Sequence, residues 1–312
     1  MKIAIIGAGA MGSLWGAKLS PLADVWLVDR WAEHVTTMQQ KGLRVIGPDG
    51  EAQIVRVQAT TRPEDVGRDV DLAIIFVKSP GTRWASQIAK TLLKPDRVAL
   101  TMQNGLGNVE TIAGVLGADR AVQGVTFHGA TLVGPGRVRH AGAGATHLAI
   151  PAQNPGRLAE IKNLFEQAGF ETHLSTHLDG LVWGKLVINA GINALTAILR
   201  IPNGLLLEID SAGQVMVAAV AEAVRVARAK DIDLPYDDPV AQVRQVALAT
   251  GSNRSSMLSD VVRRMPTEID VINGAIVREG ERMGLDTPVN QLLVWLVTAI
   301  EAGYELQMTR DE

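Results

Sequence analysis

Apolar residues follow two patterns along the chain, one typical of strands in the first half and one typical of helices in the second. Short runs rich in β-branched residues, such as Lys2–Ile6 and Asp71–Val77, predict strands buried on both faces of a parallel sheet. From His177 onward such runs stop, and apolar residues recur at helical spacing between proline and glycine breaks. The pattern predicts an α/β protein in which residues 1–176 form a doubly wound sheet domain and residues 177–312 form an all-α domain.

Further elements complete this outline. Leu43–Ile46 and Gln53–Val57 flank the turn Pro48-Asp49-Gly50, which predicts an inserted hairpin. A helix is predicted to restart at Pro266-Thr267-Glu268. The other predicted strands are Asp24–Asp29, Arg97–Met102, Ala121–Phe127, Val138–His140, His147–Ile150 and Glu171–Leu174. The other predicted helices are Met11–Leu19, Pro155–Ala168, one around Lys185, Glu208–Lys230, Asp237–Ala249 and Pro288–Gln307, the last of them with mainly apolar packing.

The residues after the first strand follow the pattern G-x-G-x-x-G, in the order Gly7, Ala8, Gly9, Ala10, Met11 and Gly12. In this pattern Gly7 permits a tight turn, Gly9 lets the backbone approach a pyrophosphate, and Gly12 lets the helix lie close to the strand. The helix N-terminus then offers N–H groups and the positive end of its dipole to the phosphates. We therefore predict that the first domain is of the Rossmann type and binds a dinucleotide at this loop.

Two neighbouring residues at the end of the second strand leave the choice between NAD and NADP open. Asp29 lies where an acid would bind the 2′-hydroxyl of NAD, whereas Arg30 could pair with the 2′-phosphate of NADP. Lys78 follows another buried strand, at the sheet edge where ligands of such sheets bind, although a solvated loop lysine explains it equally well.

The most informative stretch of the second half carries Lys185, Asn189 and Asn193, which fall at i, i+4 and i+8. In a helix these three side chains lie along one face, and the apolar residues between them pack the other faces. One cation with two amides suits a carbonyl substrate that carries a carboxylate, with the lysine giving a proton to the carbonyl oxygen. A solvated helix face is the competing interpretation, but asparagine is a poor helix former and is uncommon on such faces.

Several other polar residues have ordinary structural explanations when each is taken alone. Asn104 precedes a glycine after a strand, and Asn203 lies in a segment that ends a helix, so both suit turns. Ser255 or Ser256 is a natural helix N-cap. Glu268 would lie in the first turn of a helix, where the dipole favours an acid.

The composition narrows the classes of function. Charged residues make up 20% of the chain and the net charge is −3, which provides no general field for nucleic acid or an acidic membrane surface. There is no cysteine, and the six histidines lack metal-ligand spacing, so no metal site is predicted. No apolar segment approaches an uninterrupted transmembrane length, and Met1–Gly7 is too short for a signal peptide, so we expect a cytoplasmic protein.

Taken together, these motifs resemble those of the ketopantoate reductase (2-dehydropantoate 2-reductase) family. The resemblance runs from Lys2 to about Ala302. It is carried by the glycine loop, Gln103-Asn104-Gly105, the lysine helix, Asn253-x-Ser255-Ser256-Met257 and Pro266-Thr267-Glu268-Ile269-Asp270. It implies NADPH-dependent reduction of ketopantoate to pantoate on the route to pantothenate and coenzyme A.

The resemblance also implies individual roles. Lys185 matches the family lysine that protonates the ketone oxygen, and Glu268 matches the acid that helps to hold the substrate hydroxyl. Arg30 and Lys78 match the basic residues at the 2′-phosphate, which favours NADPH, while Asp29 would repel a phosphate and keeps NAD open. The substrate-binding positions match Asn104, Asn189, Asn193, Asn203, Asn253 and Ser256, of which Asn104 also lies beside the cofactor.

Two rival functions stay open on the sequence alone. One is reduction of a different 2-oxoacid on the same scaffold, and the other is a non-catalytic NADP-sensing protein. The long apolar helices of the second domain could bury one another or a partner's surface, so a homodimer is one option.

Overall fold

The computed structural model describes residues 1–150 and 155–308. Contacts divide the chain into two compact units. The first unit contains Met1–Gln103 and Asn108–Leu178, and the second contains Asn104–Gly107 and Asp179–Glu312. The short segment Asn104–Gly107 therefore belongs to the second unit although it lies within the first half of the chain.

The first unit contains all the strands of the described chain. They are β1 (Lys2–Ile6), β2 (Asp24–Val28), β3 (Leu43–Ile46), β4 (Ala52–Val55), β5 (Gln58–Thr60), β6 (Val70–Ile75), β7 (Leu93–Thr101), β8 (Ala121–Thr126), β9 (Gly129–Gly134), β10 (Arg137–Gly142), β11 (Thr146–Ala149) and β12 (Thr172–Ser175). Eight of these strands form a sheet in the order β12-β11-β8-β7-β6-β1-β2-β5. The pairs from β8 to β5 are parallel, and β11 reverses direction against β8.

The helices of the first unit are α1 (Ala10–Leu19), α2 (Ala32–Lys41), α3 (Thr82–Leu92), α4 (Asn108–Leu116) and α5 (Pro155–Gln167). The sheet is buried on both faces, as β1 illustrates. Ile3 and Ile5 pack in one apolar cluster with Trp15, whereas Ala4 and Ile6 pack in another cluster on the opposite face. Because both faces need apolar residues, parallel strands read as continuous apolar runs, and the predicted doubly wound α/β fold is confirmed.

The predicted hairpin insertion is confirmed, but it is part of a larger feature. β3 and β4 pair antiparallel, and β3 also pairs with β10 in a second sheet of order β4-β3-β10-β9. The strand β9 was not predicted. It carries glycine at both ends, and glycine weakens the strand signal of a sequence.

The second unit is helical, as predicted. Its helices are α6 (Asp179–Leu199), α7 (Leu205–Glu208), α8 (Asp210–Ala229), α9 (Pro239–Ala249), α10 (Ser256–Val262), α11 (Asn273–Arg282) and α12 (Pro288–Met308). The helix α6 lies in the core, where glycines admit its neighbours. A Cβ on Gly191 would come within 2.8 Å of Val220 in α8, and one on Gly184 within 2.7 Å of Pro235.

Two expectations about this unit were wrong, and the one about α12 holds for one face of the helix only. Residues 266–268 do not start a helix, and α11 begins only at Asn273. Side chains bond to this backbone instead: the Thr267 hydroxyl accepts a hydrogen bond from the Ile269 N–H, and Glu301 accepts one from the Thr267 N–H. The helix α12 packs one apolar face into the core through Leu293 and Val297, as predicted, but Trp295 on another face is 64% exposed. Finally, one segment does reach the length and composition of a transmembrane helix, contrary to expectation. That segment is α6, and 72% of its most apolar window is buried inside the protein. That burial is typical of a core helix.

Candidate active site

The glycine loop between β1 and α1 is tightly packed at two of its glycines and open at the third. Gly7 has a φ of 99°, and a Cβ there would lie 2.5 Å from the backbone nitrogen of Val77. A Cβ on Gly12 would lie only 1.9 Å from the carbonyl oxygen of Gly7. By contrast, a Cβ on Gly9 would meet no atom within 4 Å. Gly7 and Gly12 are therefore required by the fold. Gly9 instead faces open space at the N-terminus of α1, where phosphates fit.

The peptide of Ala8 is fixed from both sides. Its N–H donates to Oδ2 of Asp29 at 2.6 Å, and its carbonyl accepts from the Ser13 hydroxyl at 2.7 Å and from Nε2 of His34 at 2.9 Å. Nδ1 of His34 accepts from the Gly136 N–H at 2.8 Å, so the proton of the neutral ring is on Nε2. Burial lowers the pKa of His34, which favours that neutral form. His34 reaches the loop from α2 and was not predicted, because no local sequence signal marks it.

The carboxylate of Asp29 accepts hydrogen bonds from the backbone of this region. Besides the Ala8 N–H, it accepts the Trp31 N–H on Oδ1 at 2.9 Å. Both oxygens therefore bond to main-chain donors, so the residue that the sequence offered as a ribose ligand also holds the loop together. This role requires only that β1 and β2 pair in parallel, which brings their ends to the same sheet edge.

Arg30 and Lys78, the two predicted 2′-phosphate residues, both lie at the carboxyl edge of the first sheet. The guanidinium carbon of Arg30 lies 3.6 Å from the centroid of the Trp84 ring. Lys78 is exposed and lies at the N-cap of a short turn after β6. Trp84 was not predicted from the sequence.

Gln103 links the strand ends of this edge. Its side-chain nitrogen donates to the Val77 carbonyl at 2.6 Å and to the Thr82 hydroxyl at 2.9 Å, and Thr82 in turn donates to Asn108 at 3.0 Å. This network fixes the start of α3 against the residues that precede Asn104. Gln103 belongs to the sequence motif, but no role was predicted for it.

In the second unit, α6 carries the predicted stripe. Lys185 and Asn189 are half-buried and Asn193 is buried. Burial lowers the pKa of Lys185 to about 8, and the nearby negative charge of Glu268 opposes part of that lowering. The lysine can therefore exchange a proton close to neutral pH, as a general acid or base requires.

Glu268 reaches Lys185 from a segment that is not helical. Its side chain is buried, and its carbonyl accepts the Ile272 N–H at 3.1 Å in the turn that precedes α11. The helix dipole that was expected to explain this acid is therefore absent, and Lys185 is the charge that it faces. The Glu268 carboxylate beside Lys185 stabilises the charged form of the lysine.

The structure also brings Asn104 into this unit. The Leu106 N–H donates to the Val271 carbonyl at 3.0 Å, and a Cβ on Gly105 would lie 2.3 Å from that same oxygen. Gly105 has a φ of 82°, so glycine is needed there for two reasons. The close contact places Asn104 next to the turn that carries Glu268.

The stripe of α6 continues beyond Asn193 to a residue that was not predicted from the sequence. Thr196 lies eleven positions after Lys185, which is a rotation of about 20° on a helix. The hydroxyl of Thr196 donates to Oγ of Ser255 at 2.7 Å, and Ser255 caps α10 by accepting the Leu258 N–H at 3.0 Å. The predicted serine cap is therefore Ser255, and the next residue, Ser256, is an exposed first residue of α10.

Asn203 and Asn253 lie in two loops that are hydrogen-bonded to each other. Asn203 is buried; its N–H donates to the Asn253 carbonyl at 3.1 Å and its side chain donates to the Thr250 hydroxyl at 2.9 Å. These bonds hold the loop that leads to Ser255. Asn253 has an exposed side chain, and within the described chain Oδ1 of Asn203 is buried without a hydrogen-bond partner.

The chain matches the family described as Ketopantoate reductase PanE/ApbA over residues 3–153 and that family's C-terminal part over residues 177–301. The 2-dehydropantoate 2-reductase of Halobacterium salinarum is 37% identical over 95% of this chain and 98% of its own length. This chain belongs to the ketopantoate reductase family. The predicted resemblance is confirmed, and the protein is an oxidoreductase of the 2-dehydropantoate 2-reductase family.

Solved structures extend this family relationship. A PanE/ApbA family ketopantoate reductase from Ralstonia eutropha JMP134 superposes with a TM-score of 0.89 at 33% identity, and covers 98% of this chain and 100% of its own. A D-mandelate dehydrogenase in complex with NADH and anilino(oxo)acetate superposes with a TM-score of 0.88 at 30% identity, and covers 97% and 99% of the two chains. The same scaffold therefore also serves a dehydrogenase named for a different substrate.

Proposed function

We propose that the protein reduces 2-dehydropantoate to pantoate with NADPH and that Lys185 is the proton donor. The observation that carries this proposal is the lysine itself. Lys185 lies on a stripe with Asn189 and Asn193, faces the buried Glu268 and has a pKa lowered to about 8. Turns, caps and solvated faces do not require a half-buried lysine with that pKa, whereas proton transfer to a ketone does.

Each residue then has a defined task in the reaction. A bound nicotinamide would supply the hydride that reduces the ketone carbon. As the carbon–oxygen double bond becomes single, negative charge develops on the oxygen, and the Lys185 ammonium stabilises that charge and transfers one proton to it. The products are an alcohol and a neutral lysine, which regains a proton from solvent. The two asparagines of the stripe supply amide groups that orient the substrate.

Support for NADPH comes from the end of β2. Arg30 offers a guanidinium just beyond the end of β2, where the adenosine ribose would bind, and the carboxylate of Asp29 is directed to two backbone N–H groups. The open space at Gly9 fits the pyrophosphate of either cofactor. NADH is the alternative, since the D-mandelate dehydrogenase structure holds NADH.

A second candidate is reduction of another 2-oxoacid. The similarity to D-mandelate dehydrogenase favours this alternative, because that enzyme has a full-length relationship to this chain. A non-catalytic NADP-sensing protein is the third candidate. A sensor has no use for a titrating lysine on a polar stripe, which counts against it.

The test is loss of NADPH absorbance with purified protein and ketopantoate, set against a panel of 2-oxoacids and against NADH. The proposal predicts the highest kcat/KM with ketopantoate and NADPH. It also predicts that Lys185→Ala lowers turnover by about 10²- to 10⁴-fold, the usual contribution of general acid catalysis, while the dissociation constant for NADPH stays within about twofold of wild type. Lys162→Ala is the matched control, since it removes a lysine that pairs with Glu166 in α5 and lies outside the stripe.

Outcomes of this panel separate the three candidates. A preference for another 2-oxoacid, with the Lys185 effect retained, would replace the substrate. Cofactor binding without turnover on any oxoacid would support the sensor, and full activity of Lys185→Ala would refute the assigned role.

We also propose that the protein forms a homodimer through α12. Leu292, Trp295, Leu296 and Ala299 lie at the spacing of one helix face, and all four are exposed. Trp295 and Leu292 are 64% and 51% exposed. An exposed apolar stripe of this kind supports association with a second copy.

A further inference from the structure

The contact between Arg30 and Trp84 joins two strand ends that are not neighbours. Arg30 lies two residues beyond β2, and Trp84 lies in the first turn of α3, which follows β6. In the sheet, β1 lies between β6 and β2, so the contact spans about 10 Å of the sheet edge. That edge is where the glycine loop leaves β1 and where an adenosine ribose would bind.

Trp84 provides a fixed surface for the arginine. Its ring is half-buried and packs against the apolar cluster that contains Ala85, Ala89 and Ile75. Arg30 itself is exposed, and a long exposed side chain samples many rotamers unless a neighbour holds it. The distance of 3.6 Å from the guanidinium carbon to the ring centroid is that of a close cation–π stack.

The geometry of a stacked guanidinium determines what it can bind. The stack uses the flat face of the group, whereas its N–H donors point outward within the plane, in the fork that suits a phosphate. A stack on Trp84 therefore keeps the donors available while it restricts their direction. The neighbouring acid does not compete, because both oxygens of Asp29 bond to the N–H groups of Ala8 and Trp31.

We infer that Trp84 is a specificity-determining residue that selects NADP over NAD by holding Arg30 in position for the 2′-phosphate. This inference rests on the NADPH half of the proposed function and not on the substrate. Trp84 is a positioning residue, since it acts through Arg30. Its loss should therefore affect only ligands that carry the 2′-phosphate.

The test is a set of dissociation constants measured on the purified full-length protein without substrate, for NADPH, NADH, 2′,5′-ADP and 5′-AMP. Trp84→Leu removes the aromatic face, and Trp84→Phe keeps one. We expect Trp84→Leu to weaken NADPH and 2′,5′-ADP by about fivefold, the value of one cation–π contact near the surface, and to leave NADH and 5′-AMP within about twofold. Trp84→Phe should retain more than half of the discrimination between NADPH and NADH.

A double-mutant cycle tests the route through Arg30. In an Arg30→Leu protein, adding Trp84→Leu should produce no further loss of NADPH affinity. Equal weakening of NADPH and NADH by Trp84→Leu would overturn the inference, because it would make Trp84 a general adenosine contact. Additive effects of the two substitutions would overturn it as well, as would a wild-type protein that binds NADH as tightly as NADPH. Absence of turnover with ketopantoate would refute the proposed substrate and leave this inference standing.

Discussion

Lys185 is governed by two opposing influences. Burial lowers its pKa to about 8, and the negative charge of Glu268 prevents a larger fall. If burial acted alone, the lysine would lose its proton at a lower pH and would be a poorer donor in the neutral range. Glu268 therefore matters for the protonation state of the lysine, whether or not it also contacts the substrate.

This balance predicts the effect of Glu268→Gln on the pH profile. Removing the carboxylate removes the influence that raises the pKa of Lys185, so the alkaline loss of ketone-reducing activity should begin at a lower pH than in wild type. The profile of kcat/KM against pH measures this directly. Asp270→Asn is the control, because it removes an exposed charge two residues away, from an ion pair with Arg278. A Glu268→Gln profile that superposes on that of Asp270→Asn would contradict the argument.

At the scale of elements, the glycines in the loop between β1 and α1 have two kinds of role. Two of them are needed for folding, and the third leaves room for a ligand. Gly7 and Gly12 have no room for a Cβ, whereas Gly9 has open space and a φ of −60° that any residue adopts. The loop is held from outside by Asp29 and His34 rather than by its own sequence. Its rigidity therefore depends on β2 and α2 as much as on the glycines.

This difference predicts that Gly9→Ala folds normally and loses cofactor. Its free energy of unfolding should be unchanged or up to about 1 kcal/mol higher, because alanine restricts the unfolded chain, while NADPH and NADH should both bind at least about tenfold more weakly. Gly114→Ala in α4, where a Cβ also meets nothing within 4 Å, is the control that should keep full affinity. Denaturant unfolding and cofactor titration are the measurements. A Gly9→Ala protein with wild-type affinity would show that the pyrophosphate lies elsewhere.

Elements with a strong local signal were predictable, and those set by distant contacts were not. The strand Lys2–Ile6 was found because every interior residue must be apolar in a strand buried on both faces. The strand β7 begins at Leu93 rather than Arg97, because Leu93 pairs with Val70 across an irregular register that includes charged residues. Pro266 suggested a helix start, but the side chains of Thr267 and Glu301 bond to that backbone instead.

In the candidate site, too, the residues with a local signal were predictable and those set by distant contacts were not. Lys185, Asn189 and Asn193 were visible because helical spacing places them on one face, and Thr196 could have been found by the same rule. The stack of Arg30 on Trp84 and the bond from His34 to Ala8 had no such signal. They depend on the order of strands in the sheet, which spacing along the chain does not encode.

At the scale of the whole molecule, the chain consists of two units that each have a core of their own. The second unit leaves an apolar stripe on α12 at the surface, with Leu292, Trp295 and Leu296 all more than 40% exposed. Single exposed apolar residues are ordinary, but a stripe on one helix face is typical of an interface.

The stripe predicts that Trp295→Lys weakens or abolishes the homodimer. Light scattering after size exclusion should show a shift from dimer to monomer, because a lysine would be buried without a partner at the centre of the interface. Leu248→Lys, at an isolated position that is 72% exposed on α9, should leave the mass unchanged. A wild-type protein that is monomeric at all concentrations tested would refute the dimer.

The measurement that tests the account most directly is the pH dependence of kcat/KM for ketopantoate reduction with NADPH. Lys185 must be protonated to act as the donor, so activity should be level below its pKa of about 8 and should then fall about tenfold for each further pH unit. The reverse oxidation of pantoate needs the neutral amine, so its rate should rise through the same pH. Opposite limbs near pH 8 that disappear together in Lys185→Ala are the predicted result. A reduction rate that stays level to about pH 10, near the ordinary pKa of lysine, would show that another group donates the proton.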